Sequence, residues 1–424
     1  MKWIIFNICF KLSPMNNQEE LFNSFSQELK QELNSLFERY HFSQNEKLEI
    51  IKTYADLRMW KEELSIDFAK IDKCSTGQRA KVFMEELRSC LKTLRIKPDY
   101  SNFNPELGSL KKVKDIIKQP SPSTLLGKCP CPVDGEKTRC CKLTTLDAIM
   151  GCPFGCAYCS IASFYNSEAI TVPNDLNERL DSLDLDESIW HIGTGQSSDS
   201  LVFSDDFKTL TALGNFARKH PHLVIELKTK SCRTDFLNLN LPKNILFSWS
   251  INAQSIIEKE EHFTASLAQR IKAAKTISEQ GYLVGFHIHP IVYFQGWEEE
   301  YKKVVSLITE NFIPEQLCMV ALGTLTFTKA NLQRLRVEGK PTKVLELPLT
   351  LTAGKYSYPL SVKKEFFSKI YSYFPKEYKK EVFFYLCMED PSLWLPVFGR
   401  EYKNDQEFAD DMKTKYLSKI NKLL

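Results

Sequence analysis

Three cysteines stand in one short run, Gly151-Cys152-Pro153-Phe154-Gly155-Cys156-Ala157-Tyr158-Cys159. Thiolates are the usual ligands of iron–sulfur clusters, and this spacing lets one loop wrap a face of a cubane. A [4Fe–4S] cluster usually takes four protein ligands, so three would leave one iron open to a small molecule. Gly151 and Gly155 suit a backbone that turns tightly around such a group. A closed zinc site would need a fourth ligand from elsewhere in the chain, and three unrelated buried thiols are the other alternative. Upstream, Cys129, Cys131, Cys140 and Cys141 form a second group. Its adjacent pair suits one tetrahedral ion poorly and its spacing matches no common zinc pattern, so it reads as an ordinary loop, with a zinc ion or an auxiliary cluster as the alternative.

The remaining polar residues point less sharply. His287 and His289 alternate along a predicted strand and therefore face one side, lining a pocket or holding structural hydrogen bonds. His191, next to Trp190, reads as a core or pocket-wall residue. No glycine-rich phosphate loop and no hydrolase triad is evident.

Composition sets the frame for this chemistry. The chain has 424 residues, 43% of them hydrophobic and 26% charged, ordinary values for a globular protein. With 56 Lys+Arg against 53 Asp+Glu the net charge is +3, which neither demands nor excludes a nucleic-acid partner. Thirteen cysteines, an odd number in a long chain with no evident signal peptide, argue against a disulfide scaffold. The apolar start, Met1 to Phe6, gives way to Asn7 and Lys11 and falls short of the roughly 20 residues that span a bilayer. The expectation is a cytoplasmic protein with no membrane association.

The elements that must position the cysteines follow from periodicity. Between Asn17 and Arg95, Leu21, Phe25, Leu29, Leu33 and Leu36 recur at helical steps, predicting a helical N-terminal extension over residues 1–96. Residues 97–142 read as a linker and cysteine-rich approach, Pro- and Ser-containing in its first part. From Leu143 the pattern alternates. Strands are predicted at Leu143–Met150, Ser188–Ile192, Leu223–Leu227, Ile245–Ile251, Tyr282–Ile288 and Leu317–Thr324. Helices are predicted at Asp205–Lys219, Ser266–Gln280 and Trp297–Glu310. Strand–helix alternation implies an α/β fold, an open or partial (β/α)6 barrel over residues 143–400 with a helical tail over 401–424. Catalytic groups then belong on loops at the C-terminal ends of the strands, where the cysteine run lies.

At these cysteines the sequence resembles the radical S-adenosylmethionine (SAM) superfamily, whose signature has an aromatic before the last cysteine, here Tyr158. Further segments resemble the spore photoproduct lyase family of DNA repair enzymes: Gly195–Ser200, Leu227–Ser231, Phe247–Asn252, Gly296–Tyr301, Gly354–Tyr358 and Tyr385–Glu389. The resemblance implies that Cys152, Cys156 and Cys159 hold a [4Fe–4S] cluster. It further implies reductive cleavage of SAM to a 5′-deoxyadenosyl radical, a nucleic-acid (DNA) substrate, and an electron donor such as flavodoxin or ferredoxin. It places Tyr158, Ser198, Lys230 and Ser250 toward SAM, and Lys355 and Tyr356 on the lesion side. Spore photoproduct lyases return a hydrogen atom from a cysteine where this chain has Gln196, and carry Tyr where it has Ser160. An amide cannot stand in for a thiol here, because its N–H bond is much stronger than S–H. Cys232 is the alternative donor. The other readings are a radical SAM enzyme with a different substrate, or a non-catalytic metal- or nucleic-acid-binding module.

Overall fold

The computed structural model describes residues 17–96, 98–105, 115–121, 124–129, 137–159, 169–347, 349–352 and 354–424. Cys131 and Ser160 lie outside the described residues. The chain divides into two compact units.

The first unit joins the N-terminal helices to residues 329–346. Helices Gln27–Tyr40, Gln44–Trp60 and Thr76–Ile96 bury Leu33, Ile50, Phe83 and Leu87 in a shared core. Helix Lys329–Glu338 is tied in by Arg336, which pairs with the buried Asp56 at 2.6 and 3.0 Å. The sequence predicts the helices but not this returning segment, because its partner lies far along the chain.

The second unit is built on one eight-stranded sheet curled into a half-barrel. Its strands are β1 (Leu126–Lys128), β2 (Thr144–Leu146), β3 (His191–Thr194), β4 (Val224–Thr229), β5 (Ile245–Ile251), β6 (Val284–Ile291), β7 (Leu317–Thr324) and β8 (Phe383–Leu386). Their spatial order follows the chain. β1 pairs antiparallel with β2, and every other neighbouring pair is parallel. β5 and β7 are buried at every residue, as parallel strands covered on both faces must be. Helices Thr209–Lys219, Leu267–Glu279, Trp297–Asn311 and Leu360–Tyr373 cross between successive strands. The C-terminal helix Asp405–Ile420 packs on this sheet: the Phe408 and Phe383 rings stack at 6.3 Å, and Tyr416 lies 5.5 Å from the His191 ring.

β5 and β7 fall where the sequence predicts them, and the other four predicted strands shift by a few residues. The sheet gains β1 and β8, of three and four residues, too short to show a period. Part of the presumed linker, Asp115–Gln119, is also a strand, paired in parallel with Ala169–Pro173. No described helix is long and apolar enough to cross a membrane.

Helix Leu267–Glu279 starts at a capping box in which Ser266 accepts from the Gln269 amide and Gln269 accepts from the Ser266 amide. Removing such a cap costs about 1 kcal/mol. Ser266→Ala is therefore expected to lower the unfolding free energy by about that much, measured by urea denaturation with Ser278→Ala, at the other end of the same helix, as the comparison.

Candidate active site

The cysteine loop follows β2 and is fixed at both ends by backbone hydrogen bonds. Met150 exchanges bonds with Thr171 at 3.0 and 2.8 Å, and the Gly151 amide donates to the Ser197 carbonyl at 2.9 Å. Gly151 sits at φ +85, and a Cβ there would stand 2.8 Å from the Ala169 carbonyl oxygen, so only glycine fits without strain. Farther on, Gly155–Cys156 pairs antiparallel with Glu261–His262, and the Ala157 amide donates to the Glu260 carbonyl at 2.8 Å.

The three thiols are half-buried and within electrostatic reach of one another. Burial pushes the Cys152 thiol well up, helped by nearby Asp199 and the other two sulfurs. Burial likewise pushes Cys156 up to about 12, against the opposing pull of Lys230. Such thiols are protonated until a metal centre displaces the protons. Among the described residues no three Cys, His, Asp or Glu side chains are close enough to hold a single metal ion. Three thiols on one loop match the ligand set of an iron–sulfur cluster with one open iron, whereas a closed zinc site would need a fourth ligand.

Beneath the loop lies a buried carboxylate, Glu261. Arg270, itself fully buried, donates to Glu261 Oε2 at 2.7 Å, and Lys230 Nζ pairs with Oε1 at 2.8 Å. The Tyr158 hydroxyl also donates to Oε1 and accepts from Lys230 Nζ at 2.8 Å. Burial alone would raise Glu261, but Arg270, Lys230 and the Tyr158 hydroxyl together hold it down to about 2. Arg270 reaches further, to the Ser250 carbonyl at 2.9 Å. A second buried carboxylate, Asp199, accepts from Thr229 Oγ1 at 2.7 Å and from the Lys230 amide at 2.6 Å, fixing the turn after β4.

Inside the sheet's curve lies a cavity of about 680 Å³, its open mouth included, into which several ionisable side chains project. Strand alternation sends Glu226 and Lys228 into it from β4, and His287 and His289 from β6. Glu226 accepts from His287 Nε2 at 2.7 Å and pairs with His191 Nε2 at 2.9 Å. Burial would raise Glu226, and these two partners hold it well below the usual carboxylate range. Burial, with Lys228, His287 and Lys230 nearby, drives His289 down to about 3, so it is neutral at pH 7.

The residues singled out from sequence are thus distributed as follows. Tyr158 and Lys230 meet at Glu261. Ser198 donates to the Gly151 carbonyl at 2.7 Å and so props the cysteine loop. Ser250 is buried on β5, beside His287 in register. Gln196 lines the cavity. Lys355 and Tyr356 are half-buried on the short strand Lys355–Ser357 of a separate three-stranded sheet, and Cys232 is exposed; none of the three lines the cavity. Sequence reading missed Glu261, whose neighbours Lys259 and Glu260 suggest an exposed charge run, and Arg270, which looks like a surface residue of its helix. It also missed that Glu226 would sit between two histidines, although period-two alternation on β4 carried that signal.

Because Glu261 has a carboxylate lower in the fold than its ordinary 4.5, its contribution is complete above that value and fades as pH falls toward 2. Its size is about 3 kcal/mol. Glu261→Gln should be several kcal/mol less stable at pH 7, since Arg270 and Lys230 lose their counter-charge. The gap to wild type should narrow below pH 4.5 in urea titrations. A gap that holds constant to pH 3 would contradict this assignment.

A family model for spore photoproduct lyase matches residues 186–379, from just before β3 to beyond β7, and begins after the cysteine loop. A spore photoproduct lyase of Clostridium acetobutylicum is 29% identical over 89 residues, 21% of this chain and 26% of that protein. One from Bacillus subtilis is 43% identical over 56 residues, 13% of this chain and 16% of that protein. The matched stretches thus span about a quarter or less of those relatives' lengths. A solved spore photoproduct lyase complexed with dinucleoside spore photoproduct superposes at TM-score 0.52 and 18% identity, covering 64% of this chain and 82% of the other. A mutant of such a lyase gives 0.51 and 20% over the same shares. At these identities the structures establish the shared fold. Over residues 186–379 the chain is thus similar in sequence to spore photoproduct lyases, and its sheet-bearing unit shares their fold.

Proposed function

We propose that this chain is a radical SAM enzyme acting on a DNA photolesion. The observation that carries the reading is the three-cysteine loop tied through its own Tyr158 to Glu261 and Lys230, on a fold shared with spore photoproduct lyases. Cys152, Cys156 and Cys159 would hold a [4Fe–4S] cluster, which when bound supplies the electron that splits SAM reductively to a 5′-deoxyadenosyl radical. A flavodoxin or ferredoxin is the electron donor this chemistry calls for.

The protein's own residues would then bind and orient. Lys230 pairs with Glu261 and holds the Tyr158 hydroxyl, giving SAM's polar end a fixed side chain and a fixed ring next to the cysteines. Ser198 sets the loop's height through Gly151, and Ser250 adds a hydroxyl at the end of β5. Lys228 gives the cavity a cation suited to a phosphate-bearing substrate, while neutral His289 offers a hydrogen-bonding edge without added charge. Support for a photolesion comes from the dinucleoside photoproduct carried by the relative of like fold. Lys355 and Tyr356 are its proposed lesion-side contacts, and Cys232 the alternative hydrogen donor.

Anaerobically reconstituted protein should convert SAM to 5′-deoxyadenosine and methionine when dithionite is supplied. Cys156→Ala should reduce this to background. Lys230→Met should raise the SAM concentration for half-maximal cleavage about tenfold, the loss of one charge-assisted hydrogen bond. Protein that binds zinc stoichiometrically and leaves SAM intact would refute the enzyme reading. On dinucleoside spore photoproduct, Gln196 leads to SAM turnover with poor or aberrant hydrogen return to thymine. Clean restoration of both thymines would show that the donor argument built on Gln196 is wrong.

A further inference from the structure

The half-barrel has two free edges, β1 at one side and β8 at the other. They are brought together by a short seam. The Arg139 amide donates to the Glu389 carbonyl at 2.9 Å, an antiparallel bridge between the segment entering β2 and the segment leaving β8. Cysteines gather here from three stretches of chain. Cys129 directly follows β1, its amide bonded to the Leu143 carbonyl at 3.0 Å; Cys140 and Cys141 lead into β2; Cys387 follows β8, its amide bonded to the Leu322 carbonyl at 2.7 Å. All four line the same cavity wall and lie within electrostatic reach of one another, with Cys140 and Cys141 hydrogen-bonded through their sulfurs.

Their backbone is held in place firmly. The Cys140 amide donates to Asp405 Oδ1 at 3.2 Å, and Arg139 Nη2 donates to the Tyr402 carbonyl at 2.8 Å. Lys142 and Met388, directly after Cys141 and Cys387, stand at φ 53 and φ 59. Non-glycine residues avoid that left-handed region unless the surroundings impose it, and such strain concentrates at ligand sites. Two of the turns that aim these sulfurs therefore carry a conformational cost.

We propose that Cys129, Cys140, Cys141 and Cys387 bind a second iron–sulfur cluster, which clips the two edges of the open sheet together. A cluster is favoured over zinc because the adjacent Cys140 and Cys141 suit one tetrahedral ion poorly. Four thiolates complete the usual protein ligand set of a [4Fe–4S] or [2Fe–2S] cluster. Unlike the first centre, this one leaves no iron open to a small molecule, so its role is to fix the seam and the cavity wall rather than to bind SAM. The inference stands apart from the proposed reaction, because it concerns different cysteines.

The test is iron and acid-labile sulfide content of the full chain after anaerobic reconstitution. Cys152→Ala/Cys156→Ala/Cys159→Ala should retain between a third and a half of the wild-type iron, with visible cluster absorbance. Cys140→Ser/Cys141→Ser/Cys387→Ser should lose that same share. Electron paramagnetic resonance of the reduced wild type guards against variants that fail to fold: adding SAM should shift one cluster signal and leave a second unchanged. An iron-free first variant that keeps its circular dichroism overturns the proposal. So does zinc in place of iron at the seam, or a single wild-type signal that SAM shifts completely. A wild type with seam iron but no SAM cleavage would leave this inference standing while refuting the proposed reaction.

Discussion

A carboxylate stripped of water must be matched by positive charge and hydrogen bonds, or the fold does not close around it. Glu261 meets that demand from four directions. Arg270 comes from the helix between β5 and β6, Lys230 from the end of β4, Tyr158 from the cysteine loop, and Asn252 from the end of β5 at 3.4 Å. Each partner belongs to a different element, so satisfying one charge fixes the mutual placement of all four. The cysteine run has no core of its own to pack; its position is inherited from this anion and from the Ser197–Ser198 turn.

The same logic recurs at Glu226, inside the curve of the sheet. Glu226 of β4 bonds His191 of β3, Ser248 of β5 and His287 of β6, so four strands share one buried anion. A slip of one residue in any of them would turn its polar side chain away and leave the charge uncompensated. This buried carboxylate thus secures register where uniformly apolar strands would specify it weakly.

How much of this was legible in the sequence depends on range. Ile245–Ile251 and Leu317–Thr324 were readable because each is rich in large apolar residues, as a strand buried on both faces must be. The helix after Ser266 was readable because its cap and its apolar face are both local. β1 and β8 were not, since three or four residues show no period, and neither was the packing of Lys329–Glu338 with helices that precede it by hundreds of residues. The cysteine triplet announced itself by spacing, whereas Glu261 and Arg270 each look like solvated charges until folding sets them face to face. Cys387 is the sharpest case: nothing local ties it to Cys140 and Cys141, and only the near-closure of the curled sheet makes them neighbours.

One feature of the cysteine loop reaches beyond geometry. Its shape is maintained by main-chain bonds at Met150, Gly151 and Ala157, by the glycine-only conformation at Gly151, and by the Ser198 hydroxyl, none of which uses a sulfur atom. Ordering this segment therefore draws on the polypeptide's own contacts, and the proposed cluster would dock into a shape that the chain itself specifies.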